Sequence, residues 1–178
     1  MTYTRWGKSS CPTDTGAQLV YAGRTGGTHY NSRGGAAEKI CLPEDPDYNA
    51  GTAEFSGFVS VVHGAEYEVQ LGPNANLNEQ NMPCAVCYVP MRAAALVVPA
   101  KTVCPSLWTR EYYGYLMTER DSHYRSSYNC IDVSAEGIPG TSTNMNGALF
   151  YYTYTMCNGF NCPPYENRRI LSCAVCTK

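Results

Sequence analysis

Apolar and polar side chains alternate, or aromatic residues cluster, over eight short stretches: 17–22, 55–62, 67–71, 84–89, 94–98, 111–118, 148–156 and 170–175. Period-two patterning over stretches of this length predicts strands. Helical spacing is confined to a single turn at 36–40, behind Gly34 and Gly35. The pattern therefore reads as a mostly β chain with little helix, its strands punctuated by glycine- and proline-bearing loops. Two stretches say more than their strand content. Alternation in 148–156 sets Phe150, Tyr152, Tyr154 and Met156 on one face and Tyr151, Thr153 and Thr155 on the other, which suggests a second partner surface. The segment 89–103 joins the two halves of the chain without a flexible Gly/Ser linker, and its apolar run 94–98 is expected to be buried between them.

The order of residues repeats. Cys-Ala-Val-Cys occurs at Cys84–Cys87 and again at Cys173–Cys176, and a lone cysteine, Cys41 or Cys130, stands 43 positions before each copy. Cys11-Pro12 and Cys104-Pro105 open the two halves. Between these anchors both carry Tyr-x-Gly (Tyr21, Gly23; Tyr112, Gly114), His-Tyr-x-Ser (His29, Tyr30, Ser32; His123, Tyr124, Ser126) and Gly-Thr (Gly51, Thr52; Gly140, Thr141). Such order implies two tandem homologous subdomains, 1–90 and 91–178, stapled by disulfides and packed as one unit.

Charge and length narrow the function classes. With 13 basic and 15 acidic residues and no like-charge run, the chain carries no footprint for nucleic acid or an anionic membrane. Its longest apolar stretch, 93–98, is far short of the ~20 residues that span a bilayer, so membrane insertion is not expected. The first six residues lack the basic start and apolar core of a secretory leader, and the chain reads as mature. Ten cysteines, even in number and regularly placed, fit an oxidising compartment, so the expected location is extracellular, after secretion.

If each half closes on itself, Cys11, Cys41, Cys84 and Cys87 form one set and Cys104, Cys130, Cys173 and Cys176 the other, leaving Cys157 and Cys162 to close a short loop. Residues three apart on a strand lie roughly 10 Å apart on opposite faces, beyond the reach of about 7 Å that a disulfide allows. The two cysteines of each Cys-Ala-Val-Cys motif therefore take different partners. Crossed and nested pairings both satisfy that condition. Zinc suits two motifs so far apart, accompanied by six further cysteines, poorly.

The candidate ligand-binding residues are His29 with Tyr30 and His123 with Tyr124, one pair in each repeat; the same side chains also serve to fix an equivalent loop by hydrogen bonds. His63, beside Gly64 at a strand end, needs no functional role. Glu44, Asp45, Asp47 and Asn49 make an oxygen-rich loop that lacks the spacing of a calcium-binding loop and reads as a solvated turn. Ser9, Ser10, Ser126 and Ser127 provide hydroxyls without a nucleophile elbow or triad order. No catalytic residue, metal or cofactor is expected. Fifteen tyrosines against four phenylalanines and two tryptophans favour half-buried sheet faces, interfaces and sugar-contacting surfaces.

Two repeats that open on Cys-Pro, pass through Tyr-x-Gly and close on Cys-Ala-Val-Cys resemble the noncollagenous C-terminal domain of type IV collagen. Arg5-Trp6-Gly7, Leu42-Pro43-Glu44-Asp45-Pro46, Gly114-Tyr115-Leu116-Met117 and Cys162-Pro163-Pro164-Tyr165-Glu166 are more similar still to the corresponding domain of spongin-like short-chain collagens. The likeness spans residues 5–178. It implies nested disulfides (Cys11 to Cys87, Cys41 to Cys84, Cys104 to Cys176, Cys130 to Cys173), with Cys157 to Cys162 as a small loop that has no counterpart in the first half. It implies no catalysis. The role implied is assembly of an extracellular-matrix protein by self-association into a homo-oligomer, a trimer favoured, with matrix proteins or glycans as further partners. No Gly-X-Y tract lies in these residues. A second expectation, from another class, is a soluble carbohydrate-binding lectin with one site per repeat at the two His-Tyr pairs.

Overall fold

The computed structural model describes residues 1–49 and 57–178. Their regular structure is almost entirely β: β1 Thr2–Trp6, β2 Gln18–Gly27, β3 Ile40–Pro43, β4 His63–Tyr67, β5 Pro83–Tyr88, β6 Ala95–Pro99, β7 Thr109–Thr118, β8 Asn129–Asp132, β9 Ala148–Tyr152 and β10 Ser172–Thr177, with one short 3-10 turn at Ala75–Leu77. The turn expected at 36–40 is instead a non-helical stretch, bent at residues 37 and 38, that leads into β3. Strand signals at 84–89, 94–98, 111–118 and 170–175 correspond to β5, β6, β7 and β10 within two residues at each end. Of the stretch 67–71 only Tyr67 is in a strand, as the last residue of β4, and of 55–62 the described part, 57–62, lies in no strand while the rest falls outside the described residues.

Each half pairs its strands in the same way. In the first, β5 lies antiparallel between β1 and β2, β3 borders β2, and β4 pairs with the far end of β2. In the second, β10 lies between β6 and β7, β8 borders β7, and β9 pairs with the far end of β7. The long strands even bulge at the same place, around Val20 in β2 and Glu111 in β7.

The Tyr-x-Gly motif now has a physical reason. A Cβ on Gly23 would sit 1.8 Å from the Leu42 carbonyl oxygen, and one on Gly114 would sit 1.7 Å from that of Ile131, so only glycine lets β3 and β8 lie so close. Two residues before each, a tyrosine hydroxyl donates to the carbonyl of the lone cysteine, Tyr21 to Cys41 at 3.0 Å and Tyr112 to Cys130 at 2.9 Å.

Those cysteines are then locked to the central strands. The disulfides are Cys11–Cys87, Cys41–Cys84, Cys104–Cys176, Cys130–Cys173 and Cys157–Cys162, a nested pattern with no free cysteine. Closing loops of 76, 43, 72 and 43 residues, the four long bridges are each worth about 4 kcal/mol in the chain-entropy account.

The halves join head to tail. Trp6 of β1 pairs in parallel with Ile131 of β8, and residues 65–67 of β4 pair in parallel with 148–150 of β9. Both hydrophobic cores are shared: one gathers Tyr3, Ala85 and Val89 with Tyr112, Leu116 and Val175, the other Tyr67, Val69 and Met82 with Met117, Ile131 and Phe150. The run 94–98 does not fill that junction. It forms β6, which pairs only with β10 at the outer edge of the sheet, where Leu96 is 40% and Val97 46% exposed. Burial between the halves falls to β1, β4, β8 and β9 instead, because these supply the edges that meet.

Candidate functional site

The junction between the halves collects the buried charge of the molecule. Arg5 of β1 holds Asp132 of β8 through Nε and Nη2, at 2.8 and 2.7 Å, while Ser134 caps the other carboxylate oxygen. Glu111 of β7, its side chain wholly buried, accepts from Tyr3, Thr15, Thr177 and the Arg92 guanidinium. Burial and the Glu111 charge push the Tyr3 phenol well above its ordinary range, so it stays a donor. Buried charges of this kind are tolerated only when fully paired, and removing one partner strands the other.

A third pair builds the candidate site. Lys39, in the chain before β3, reaches Glu119 at 3.4 Å with both side chains buried. Burial draws the ammonium down and the Glu119 charge opposes that shift. Glu119 Oε1 also accepts the Leu149 N–H at 2.8 Å, and Oε2 lies 3.0 Å from His123 Nδ1. The two His-Tyr pairs, equivalent in sequence, meet here. His29 stacks on Tyr30 at 4.6 Å, Tyr30 leans on His123 at 4.5 Å, and His123 meets Tyr151 edge-on at 5.6 Å. Backbone bonds fix this convergence, from Tyr30 N–H to the Gly147 carbonyl and from Tyr124 N–H to the Tyr30 carbonyl. The structure thus brings one cluster together from both repeats where the sequence suggested one site in each. Tyr124 stands apart from the stack, its ring exposed and its hydroxyl accepting from Arg33 Nε at 2.9 Å.

His63 belongs to the cluster as well, edge-on to His29 at 5.1 Å. Nothing in the local sequence marked it; the signal was its place at the start of a strand that pairs with the end of β2, a contact visible only once β4 is shifted to its true register. The Ser126 hydroxyl donates to the Ala37 carbonyl and that of Ser9 to Glu136, so both are spent on structural bonds. Burial of the Glu136 carboxyl is outweighed by the Ser9 and Lys8 donors, which hold it below its usual range.

Sequence reading also missed a carboxylate group. Glu66 and Glu68, on and just after β4, come within 4.8 Å of Glu79. Alternation puts residues 66 and 68 on one side of the extended chain, but Glu79 arrives from the loop after the 3-10 turn. Acceptor-only oxygens in such a set suit a hard cation chemically. Glu66 already anchors the second half by accepting the N–H groups of Met145 and Asn146, each at 3.1 Å. Burial, with the neighbouring Glu79 and Glu66 charges, pushes Glu68 up to about 7. The oxygen-rich turn behaves as a surface loop, with Glu44 paired to Arg24 in the open. The sequence matches no protein-family model. No helix among the described residues is long and apolar enough to cross a membrane.

Proposed function

We propose that this chain is an assembly domain of an extracellular-matrix protein of the short-chain-collagen type, acting by head-to-tail self-association, three chains to a closed ring. The observation that supports this reading is the pair of edges left over when the halves join. Strand registers align the repeats: Gly23 with Gly114, Trp6 with Pro99, Pro43 with Asp132. On that alignment β3 is the counterpart of β8 and β6 the counterpart of β1. The junction inside the chain joins β8 to β1; among the described residues the free edges are β3 and β6. A second copy setting its β6 on β3 repeats between chains the contact already made within one.

The side chains on these edges suit such a contact. Where the internal junction has Arg5 with Asp132, the outer edges have Val98 and Pro43. Where it has Tyr3 with Glu111, they have Leu96 and the 55% exposed Val20; where it has Trp6 with Ile131, they have Pro99 and the 42% exposed Leu42. Burying that apolar set removes surface that water disfavours and leaves no charge unpaired. The segment before β4 adds to it. Gly64 and Tyr152 are equivalent through their pairing with Gly26 and Met117, so residues 60–62 correspond to 148–150, the buried segment that pairs with β4. Val61 and Val62 are about half exposed in the single chain. Their counterpart groove on a second copy lies along 153–156, where Tyr154 and Met156 stand open.

A contact of this head-to-tail kind repeats until a ring closes or a filament grows. The five disulfides support an extracellular setting, and the resemblance supplies the count of three. Light scattering after size exclusion over a range of concentrations tests the reading. Wild type is expected at three chain masses, with Leu96→Lys and Leu42→Lys each reduced to the 19.5 kDa single chain at unchanged melting temperature. A wild type that stays at 19.5 kDa at every concentration refutes it.

A further inference from the structure

Beside the buried Lys39–Glu119 pair lies a cavity of about 260 Å³ whose walls come from both halves: the loop between β2 and β3, and the chain after β7. Its chemistry is one-sided. The Glu119 carboxylate at its floor has both oxygens engaged, by Lys39, His123 and the Leu149 N–H. At the rim stand two exposed guanidinium groups, Arg33 and Arg125. Arg33 spends only Nε, on the Tyr124 hydroxyl, and its two terminal nitrogens remain open. Arg125 has no hydrogen-bond or ion-pair partner among the described residues. Between them the backbone of Gly34 and Gly35 forms the wall, with Gly35 at a φ of 96° and a Cβ there only 2.5 Å from the Thr28 hydroxyl oxygen. A side chain at that position would strain the turn and crowd its wall.

Open donors facing a site whose one carboxylate is already neutralised select an oxyanion. The cavity is smaller than the ~300–1,000 Å³ that encloses a whole small molecule, so it holds one charged group while the rest of the ligand lies outside. We propose that this inter-repeat pocket binds an oxyanionic group of an acidic polysaccharide, a sulfate ester, gripped by Arg33 and Arg125. The oxyanion follows from the pocket itself; the polysaccharide as its source rests on the extracellular reading above. The site borders the proposed interface, since Lys39 directly precedes β3 and Arg33, Gly34 and Gly35 also line a cleft with Ser60 and Val61, so binding is measured on wild type and on the single-chain variant Leu96→Lys alike.

The test is calorimetric titration of the intact chain, in size-exclusion fractions of known mass, with a heparin-derived octasaccharide, its desulfated form, a hyaluronan oligosaccharide, a phosphoserine peptide and sodium sulfate. The sulfated octasaccharide is expected to bind. Arg33→Ala and Arg125→Ala should each weaken it about tenfold or more, as loss of a charge-assisted hydrogen bond predicts. Arg168→Ala, an exposed arginine elsewhere, should leave it unchanged. Arg33→Lys, which keeps the charge but loses the planar fork, should fall between wild type and Arg33→Ala. Equal weakening by Arg168→Ala, or equal binding of the desulfated form, overturns the proposal. So does preference for the peptide or for hyaluronan over the sulfated sugar. A wild type that binds as a single chain keeps the pocket and removes the assembly; an assembled wild type whose Leu96→Lys single-chain variant also fails to bind removes the pocket and keeps the assembly.

Discussion

The β8–β1 junction and the β3 and β6 edges are the same contact surface built twice in one chain, and they differ in chemistry. Inside, Arg5–Asp132 and Tyr3–Glu111 carry the join. Outside, the equivalent positions are aliphatic or proline. A buried ion pair is geometrically demanding and intolerant of substitution, which suits two surfaces held permanently in register by one chain. An apolar edge is forgiving of geometry, and its strength grows with area, which suits surfaces that must find each other from solution. In the assembly proposed above, one duplicated geometry serves as both a fixed joint and a docking edge.

The comparison can be broken most severely at the disulfides. Cys130–Cys173 ties the inner strand β8, and Cys41–Cys84 ties its outer counterpart β3, each across 43 residues, so chain entropy assigns both about 4 kcal/mol. Replacing each pair by serine should therefore separate the two strands by packing alone. The Cys130/Cys173 variant is expected to be the less stable in denaturant titration, because Cys130 is buried and Cys41 only partly so. Equal losses would mean that β8 carries no more than β3. Next comes the charge itself. Glu111→Ala strands Arg92 and three hydroxyls and should cost about 3–5 kcal/mol. Val20→Ala at the equivalent outer position should stay within about 0.5 kcal/mol in the single chain.

The smallest effect is a pH dependence inside the first half. Glu68, raised to about 7 in the fold, binds its proton more tightly folded than unfolded. Stability should therefore fall as pH rises from about 4.5 to 7, the reverse of a salt-bridged carboxylate. Screening at this partly exposed group limits the effect to on the order of 1 kcal/mol, about 2–4 °C in melting temperature. Glu68→Gln should flatten that slope; an unchanged slope would assign it elsewhere.

Much of this architecture was legible in the residues. Runs of apolar and aromatic residues found the central strands, β5 and β10 being buried on both faces, and the cysteine spacing marked the repeat. The strands missed, β1, β3, β8 and all but the last residue of β4, are four or five residues long, too short to show a period. β6 was found but misplaced, since an apolar run looks alike at a buried junction and at an open edge. The site was legible only as its separate pieces. His29, Tyr30 and His123 stood out as residue types, but their meeting across about 90 residues of chain depends on how the halves dock; the Lys39–Glu119 pair enters only through that docking, and His63 through the pairing of β4 with β2 inside the first half.

The shared cores give the repeat boundary an unexpected standing. With Tyr112 and Phe150 completing clusters begun by Tyr3 and Tyr67, neither half can bury its apolar face by itself. The link at Pro90–Met91 is thus a tether rather than a border between folding units. Cut there, the chain is expected to give two fragments that each expose an apolar face until they meet, so that a single covalent connection turns a two-part complementation into a unimolecular event.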